Sequence, residues 1–219
     1  EPAPEVFLVD AHVHLCPGMA TGRVLTAAAR HMTRAAQALG WVSRPPGLLM
    51  LTENAGLDRF AELQGRHGDW QITPTAEEVS LLARHADGSA PIAIVSGRQI
   101  VTAEGLEVHA LGTRRTFADG RPIRDVLAEV PKDGALAALP WGVGKWSGDR
   151  GRIIAALIEE GIPGLFLADS GVRAGFLPRP GLLSAGEARG LCVIAGTDPL
   201  PLAAEAEKAG RFGIVARHA

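Results

Sequence analysis

Lysine is nearly missing from this 219-residue chain, standing only at positions 132, 145 and 208, so its basic charge is almost all arginine. Together with abundant alanine and glycine, this reads as compositional bias and carries no functional signal. There are only two cysteines, Cys16 and Cys192, too few and too far apart for a disulfide framework or a cysteine-based zinc site. No apolar run approaches the roughly 20 residues that span a bilayer. No charge of one sign dominates, since 22 basic residues face 24 acidic ones for a formal charge of -2. That balance gives no global field for nucleic acid or an anionic membrane, so neither is an expected partner. Linkers, low-complexity segments and internal repeats are lacking too. With 47% hydrophobic residues, the chain has the material for a substantial core, and one domain over 1–219 is the economical expectation. It opens on Glu1, and residues 1–5 are polar and proline-rich without the pattern of a secretory leader, so the cytoplasm is the expected compartment.

What is present is an alternation of short apolar runs with amphipathic stretches. Strands are expected at 6–10, 48–52, 70–73, 92–96, 106–111, 135–139, 165–169, 192–195 and 212–215. Helical spacing of apolar residues predicts helices at 23–39, 57–66, 76–86, 123–129, 151–160 and 201–209, with Gly40, Gly161 and Gly210 at C-cap positions. Strands that alternate with helices belong to an α/β fold, and eight or nine of them suit a small (β/α) barrel. The region 98–111 departs from the alternation. Two strand-like runs flank Ala103-Glu104-Gly105 there, which predicts an inserted hairpin.

The chemistry concentrates where strands end. Val9-Asp10-Ala11-His12-Val13-His14 closes the first strand, and alternation in an extended chain puts Asp10, His12 and His14 on one face. Two imidazoles and a carboxylate so placed are half of a divalent-metal site. Asp198, in Gly196-Thr197-Asp198-Pro199, ends a later strand and is the expected third ligand, with Glu53 and His109 as further candidates. A second constellation, from Leu139 to Arg150, joins a strand to a helix. Its three glycines free backbone amides, and Trp141, Lys145, Trp146 and Arg150 are candidate substrate contacts. The spacing is not that of a Walker loop. Asp169 and Arg173 occupy a third strand end, where Asp169 could orient a metal-bound water and Arg173 an anionic group. His31, His67, His85 and His218 have no partners at ligand spacing and read as surface residues.

Asp-Ala-His-Val-His-Leu at the end of a first strand resembles the opening motif of the polymerase and histidinol phosphatase (PHP) family, and is similar to that of the metal-dependent amidohydrolases, which are usually longer. Thr52-Glu53-Asn54 stands where the PHP family has Thr-Asp-His, and Ser96-Gly97-Arg98-Gln99 where it has a Pro-Gly-Val-Glu-like strand. Thr197-Asp198-Pro199-Leu200 matches its Ser-Asp-x-His. The resemblance implies a distorted TIM-like (β/α)7-8 barrel, a phosphoesterase activity and a small phosphorylated substrate. It also implies a divalent ion (Zn, Mn or Fe) on His12, His14, Glu53, His109 and Asp198. Asp10, Asp169 and Lys145 would serve catalysis, and Arg98, Gln99, Trp141, Lys145, Trp146, Arg150 and Arg173 would bind substrate. Departures are plain: Gln99 replaces a bridging Glu, and Asn54, Leu139 and Leu200 replace histidines. A carbon-nitrogen hydrolase and a barrel that binds without cutting are the alternatives.

Overall fold

The computed structural model describes residues 6–173 and 176–217, so His218 lies outside the described residues. Among these residues, twelve strands form two mixed sheets. The first contains β1 (Val6–Val13), β2 (Gly47–Leu51), β3 (Gly65–His67), β4 (Trp70–Pro74), β5 (Ser80–His85), β6 (Ile92–Val95) and β12 (Ile214–Arg217), in the order β12-β1-β2-β6-β5-β4-β3. Within it β1, β2 and β6 are parallel, while β12 and the β3–β5 extension run antiparallel to their neighbours. The second contains β7 (Gly97–Val101), β8 (Glu107–Leu111), β9 (Leu136–Pro140), β10 (Leu165–Ser170) and β11 (Val193–Gly196), in the order β11-β10-β9-β8-β7. Here β9, β10 and β11 are parallel, and the expected hairpin is the antiparallel pair β7 and β8.

This corrects the expected fold. A (β/α) barrel needs one closed parallel sheet, and the two mixed sheets do not provide it. Much of the misreading lies in 57–86, where two helices were expected. Residues 59–62 make only one 3-10 turn, and 80–85 form β5. Leu81 and Ala83 are fully buried between less buried neighbours, which is the period of a half-buried strand, and β4 and β6 pair with it on either side. The run 201–209 also falls short of an α-helix and forms a 3-10 segment at Ala203–Lys208. Among the described residues four α-helices remain: α1 (Thr21–Ala38), α2 (Ile123–Glu129), α3 (Gly148–Glu160) and α4 (Gly181–Ala188). The last had no counterpart in the sequence reading.

Each sheet has its own core. Val24, Leu25, Ala28 and Met32 of α1 pack with Leu49, Leu51, Ile92 and Ile94 of the first sheet. Ile123, Val126 and Leu127 of α2, Ile154, Leu157 and Ile158 of α3 and Leu183 of α4 pack with Val108, Leu139 and Leu167 of the second. The sheets touch along two seams. At one, the Glu53 N–H donates to the Gly97 carbonyl (3.1 Å) and the Gln99 N–H to the Glu53 carbonyl (2.9 Å); at the other, the Asp198 N–H donates to the His12 carbonyl (2.8 Å). A glycine makes each approach possible. A Cβ on Gly97 would overlap the Leu51 carbonyl oxygen, and one on Gly196 would overlap the His12 backbone. Among the described residues, no helix is long and apolar enough to cross a membrane.

Candidate metal centre

The seam between β1 and β11 carries the cluster. β1 is irregular near its end: Asp10 stands opposite Leu49 of β2 and Val13 opposite Leu51, three residue steps against two. Such a bulge re-aims the side chains around it. His12 and His14 meet there with Nε2 atoms 3.0 Å apart. Asp198 follows β11 with a φ of 52, a left-handed conformation uncommon outside glycine, and its Oδ1 lies 3.4 Å from His12 Nε2 and 3.6 Å from His14 Nε2. Donors 2.0–2.1 Å from a tetrahedral ion stand about 3.3–3.4 Å from one another, so the three observed separations bracket a tetrahedral face. The other carboxylate oxygen, Oδ2, accepts from the Ser170 hydroxyl at 3.0 Å. Ser170 is fully buried at the end of β10, and no motif in the sequence marks it as part of the site.

Burial disfavours the protonated form of both histidines. It holds His12 well below the usual histidine range, with the charges of His14 and Lys145 adding to the effect. His14 is lowered by burial too, although Asp198 and Glu107 pull the other way. Neutral imidazoles are the form that binds a metal. His109, fully buried on β8, has its ring centroid 4.2 Å from that of His12 and is likewise held low, by burial first and by His12, His14 and Lys145 after it. Its Nε2 lies 3.2 Å from Gln99 Oε1, and the Gln99 amide donates to Asn54 Oδ1 at 3.1 Å. His109 thus borders the cluster while its ring tip is engaged by an amide chain.

The other expected site residues are placed elsewhere or already partnered. Asp10 does not join the histidines: its carboxylate accepts from the Thr197 N–H (2.8 Å), the Thr197 hydroxyl, the Gly210 N–H (2.8 Å) and the His12 N–H (3.3 Å). Full burial raises it to about 6 despite those donors. Glu53 sits at the other seam, where Arg98 donates to it at 2.7 Å and the Phe60 N–H at 3.1 Å. Burial pushes its carboxyl up while Phe60 and Arg98 pull it back. Arg98 itself is buried and also reaches the Leu57 carbonyl at 2.8 Å, so it ties segments together. Asp169 is held by Arg173 (2.7 and 3.2 Å) and by the Ser170 N–H (2.9 Å). Lys145 pairs with Glu107, and Arg150 donates to the Gly105 (3.3 Å) and Gly144 (3.1 Å) carbonyls. Trp141 and Trp146 are half-buried, and Trp146 packs on the second core. Of the surface histidines, His85 pairs with Asp87 and His67 lies 2.9 Å from the Leu63 carbonyl.

No protein-family model matches the chain, and no curated protein does. Among solved structures it is similar to the crystal structure of PsfC from Pseudomonas syringae PB-5123, at a TM-score of 0.55 and 14% identity, over 89% of this chain and 77% of that one. At that identity the likeness concerns the fold alone. The PHP and amidohydrolase resemblance is overturned by the same finding that overturned the barrel: two mixed sheets of seven and five strands. The centre therefore rests on its own geometry and not on that resemblance.

Proposed function

We propose that the protein is a metal-dependent hydrolase of a small ester, with one divalent ion held by His12, His14 and Asp198. The observation that carries this reading is the set of three donor separations, 3.0, 3.4 and 3.6 Å, between the buried His12 and the partly buried His14 and Asp198, brought together where the two sheets meet. Among the described residues these three are the His, Cys, Asp and Glu side chains grouped closely enough to share an ion. Two imidazoles and a carboxylate suit zinc, and also manganese or iron. When bound, such an ion supplies an activated water and polarises the bond to be cut.

The chain's own residues have separable tasks in this reading. Ser170 orients Asp198 by donating to the oxygen that faces away from the histidines. His12 is fixed by the seam through the Asp198 N–H and the glycine at 196. Lys145, expected to meet negative charge as it develops, is instead paired with Glu107. Phosphate esters and neutral carboxylic esters are the two substrate classes to compare.

A second reading, a metal or ligand binder without turnover, is favoured by the engagement of Asp10, Glu53 and Asp169, which leaves no spare carboxylate among them to take a proton from water. The test is elemental mass spectrometry on protein purified without chelator or a metal-affinity tag, alongside His12→Ala, followed by turnover assays with both ester classes. About one equivalent of metal in the parent, little in the variant and turnover that needs His12 is the expected result. Metal without turnover would favour a metal binder, and no metal in either protein would overturn the hydrolase and leave a ligand binder.

A further inference from the structure

The strands β9, β10 and β11 are parallel neighbours, so the chain leaves the second sheet at one end after each of them, through the loops that begin at 141, 171 and 197, of which 141–147, 171–173, 176–180 and 197–202 are described. That end is the metal centre's: Asp198 lies on the third loop, Ser170 immediately precedes the second, and Lys145 lies on the first. Val143, Phe176, Leu177, Leu200 and Leu202 stand on the same three loops. They are half of the ten large hydrophobic residues that are exposed among the described residues, Phe176 at 88% and Val143 at 67%. Exposed apolar side chains scattered singly need no explanation, but five on three loops that leave one end of a sheet, with Asp198 and Lys145 on two of the same loops, do. Over the same loops the charges are already satisfied: Lys145 by Glu107, Arg173 by Asp169, and Arg150 by two backbone carbonyls. A dianionic phosphate would have to break these pairings to be held. An apolar group would only have to cover side chains that now face water, which the hydrophobic effect favours.

Resting on the metal-centre reading above, we infer that the substrate is uncharged and carries an apolar arm, acyl or aryl, beside the bond that is cut, with the arm lying across the rim formed by Val143, Phe176, Leu177, Leu200 and Leu202. The metal centre selects the reacting group, and the rim selects what is attached to it. Pockets that bind small molecules commonly divide the work in this way, with apolar walls for affinity and a few polar groups for orientation.

The test measures binding and not turnover, so that it stands apart from catalysis. Acetohydroxamate, butyrohydroxamate and octanohydroxamate present one chelating group with arms of increasing length, and their affinities for zinc-loaded protein are measured by calorimetry. The expected result is a rise of about two- to fourfold per added methylene, the range from partial to full removal from water. Phe176→Ser and Leu202→Ser, both at exposed positions that the fold does not need, should flatten that rise and leave acetohydroxamate unchanged. Acetohydroxamate binding with no dependence on arm length would overturn the inference and leave the metal centre standing. Failure of zinc to bind, read by elemental analysis of the same samples, would overturn both.

Discussion

Glu53 and Arg98 are buried together, with oxygen and nitrogen 2.7 Å apart, and the low dielectric around them makes each the other's main compensation. Arg98→Met should therefore cost about 3–5 kcal/mol in urea unfolding, because it strands a buried carboxylate. Glu53→Gln should leave the metal content unchanged, since the carboxylate lies at the other seam; loss of metal in that variant would return Glu53 to the ligand set. Ser170 is a different case. It touches no ion, and Ser170→Ala should keep the fold while weakening metal affinity roughly 10- to 100-fold in a chelator competition, the usual effect of removing a group that orients a ligand. Unchanged affinity would mean that Asp198 is held by its backbone alone. The residues that sequence reading weighed most heavily, His12, His14 and Asp198, are brought together, whereas Asp10 and Glu53 are not. Residue type and strand-end position were visible in the chain. Their partners were not, because Arg98 lies 45 residues from Glu53 and Thr197 lies 187 from Asp10.

Among the elements, β1 and β11 matter most, since their contact brings the histidines to Asp198. Gly196 is the point of closest approach, and Gly196→Ala should lower both the thermal midpoint and the bound metal, because the new methyl group cannot share space with the His12 backbone. Gly181 serves as the comparison. A Cβ there meets nothing, and Gly181→Ala at the start of α4 should be neutral or stabilising by up to about 1 kcal/mol with metal binding intact. Equal losses in the two variants would argue against a special role for the seam. The stretch 57–86 shows how elements escape a local reading. Apolar residues in Leu81-Leu82-Ala83 fit either period over so short a run, and the choice was made by β4 and β6, which supply the hydrogen bonds that β5 needs. The run 123–129 was read correctly as a helix because Ile123, Val126 and Leu127 repeat at helical spacing and bury one face within the chain's own turn.

Across the whole molecule, an ion that binds only the folded chain must stabilise it. Zinc or manganese at 100 times its dissociation constant should add about 2.7 kcal/mol. For a chain of this size that is a rise in the thermal midpoint of roughly 5–10 °C, read by calorimetry against a chelator-treated control. His12→Ala should abolish the increment, and an equal rise in that variant would place the ion elsewhere. What the sequence determined by itself is what depends on neighbours in the chain: the strand that ends in His-x-His, the β7–β8 hairpin, the core faces of α1, α2 and α3, and the want of an apolar run long enough for a membrane-crossing helix. What only the tertiary structure decided is how the strands divide into two sheets, which carboxylates are neutralised by which arginines, and that Ser170 stands behind Asp198. These are contacts between residues far apart in the chain, where a local pattern is compatible with several partners and only burial in a common interior selects one.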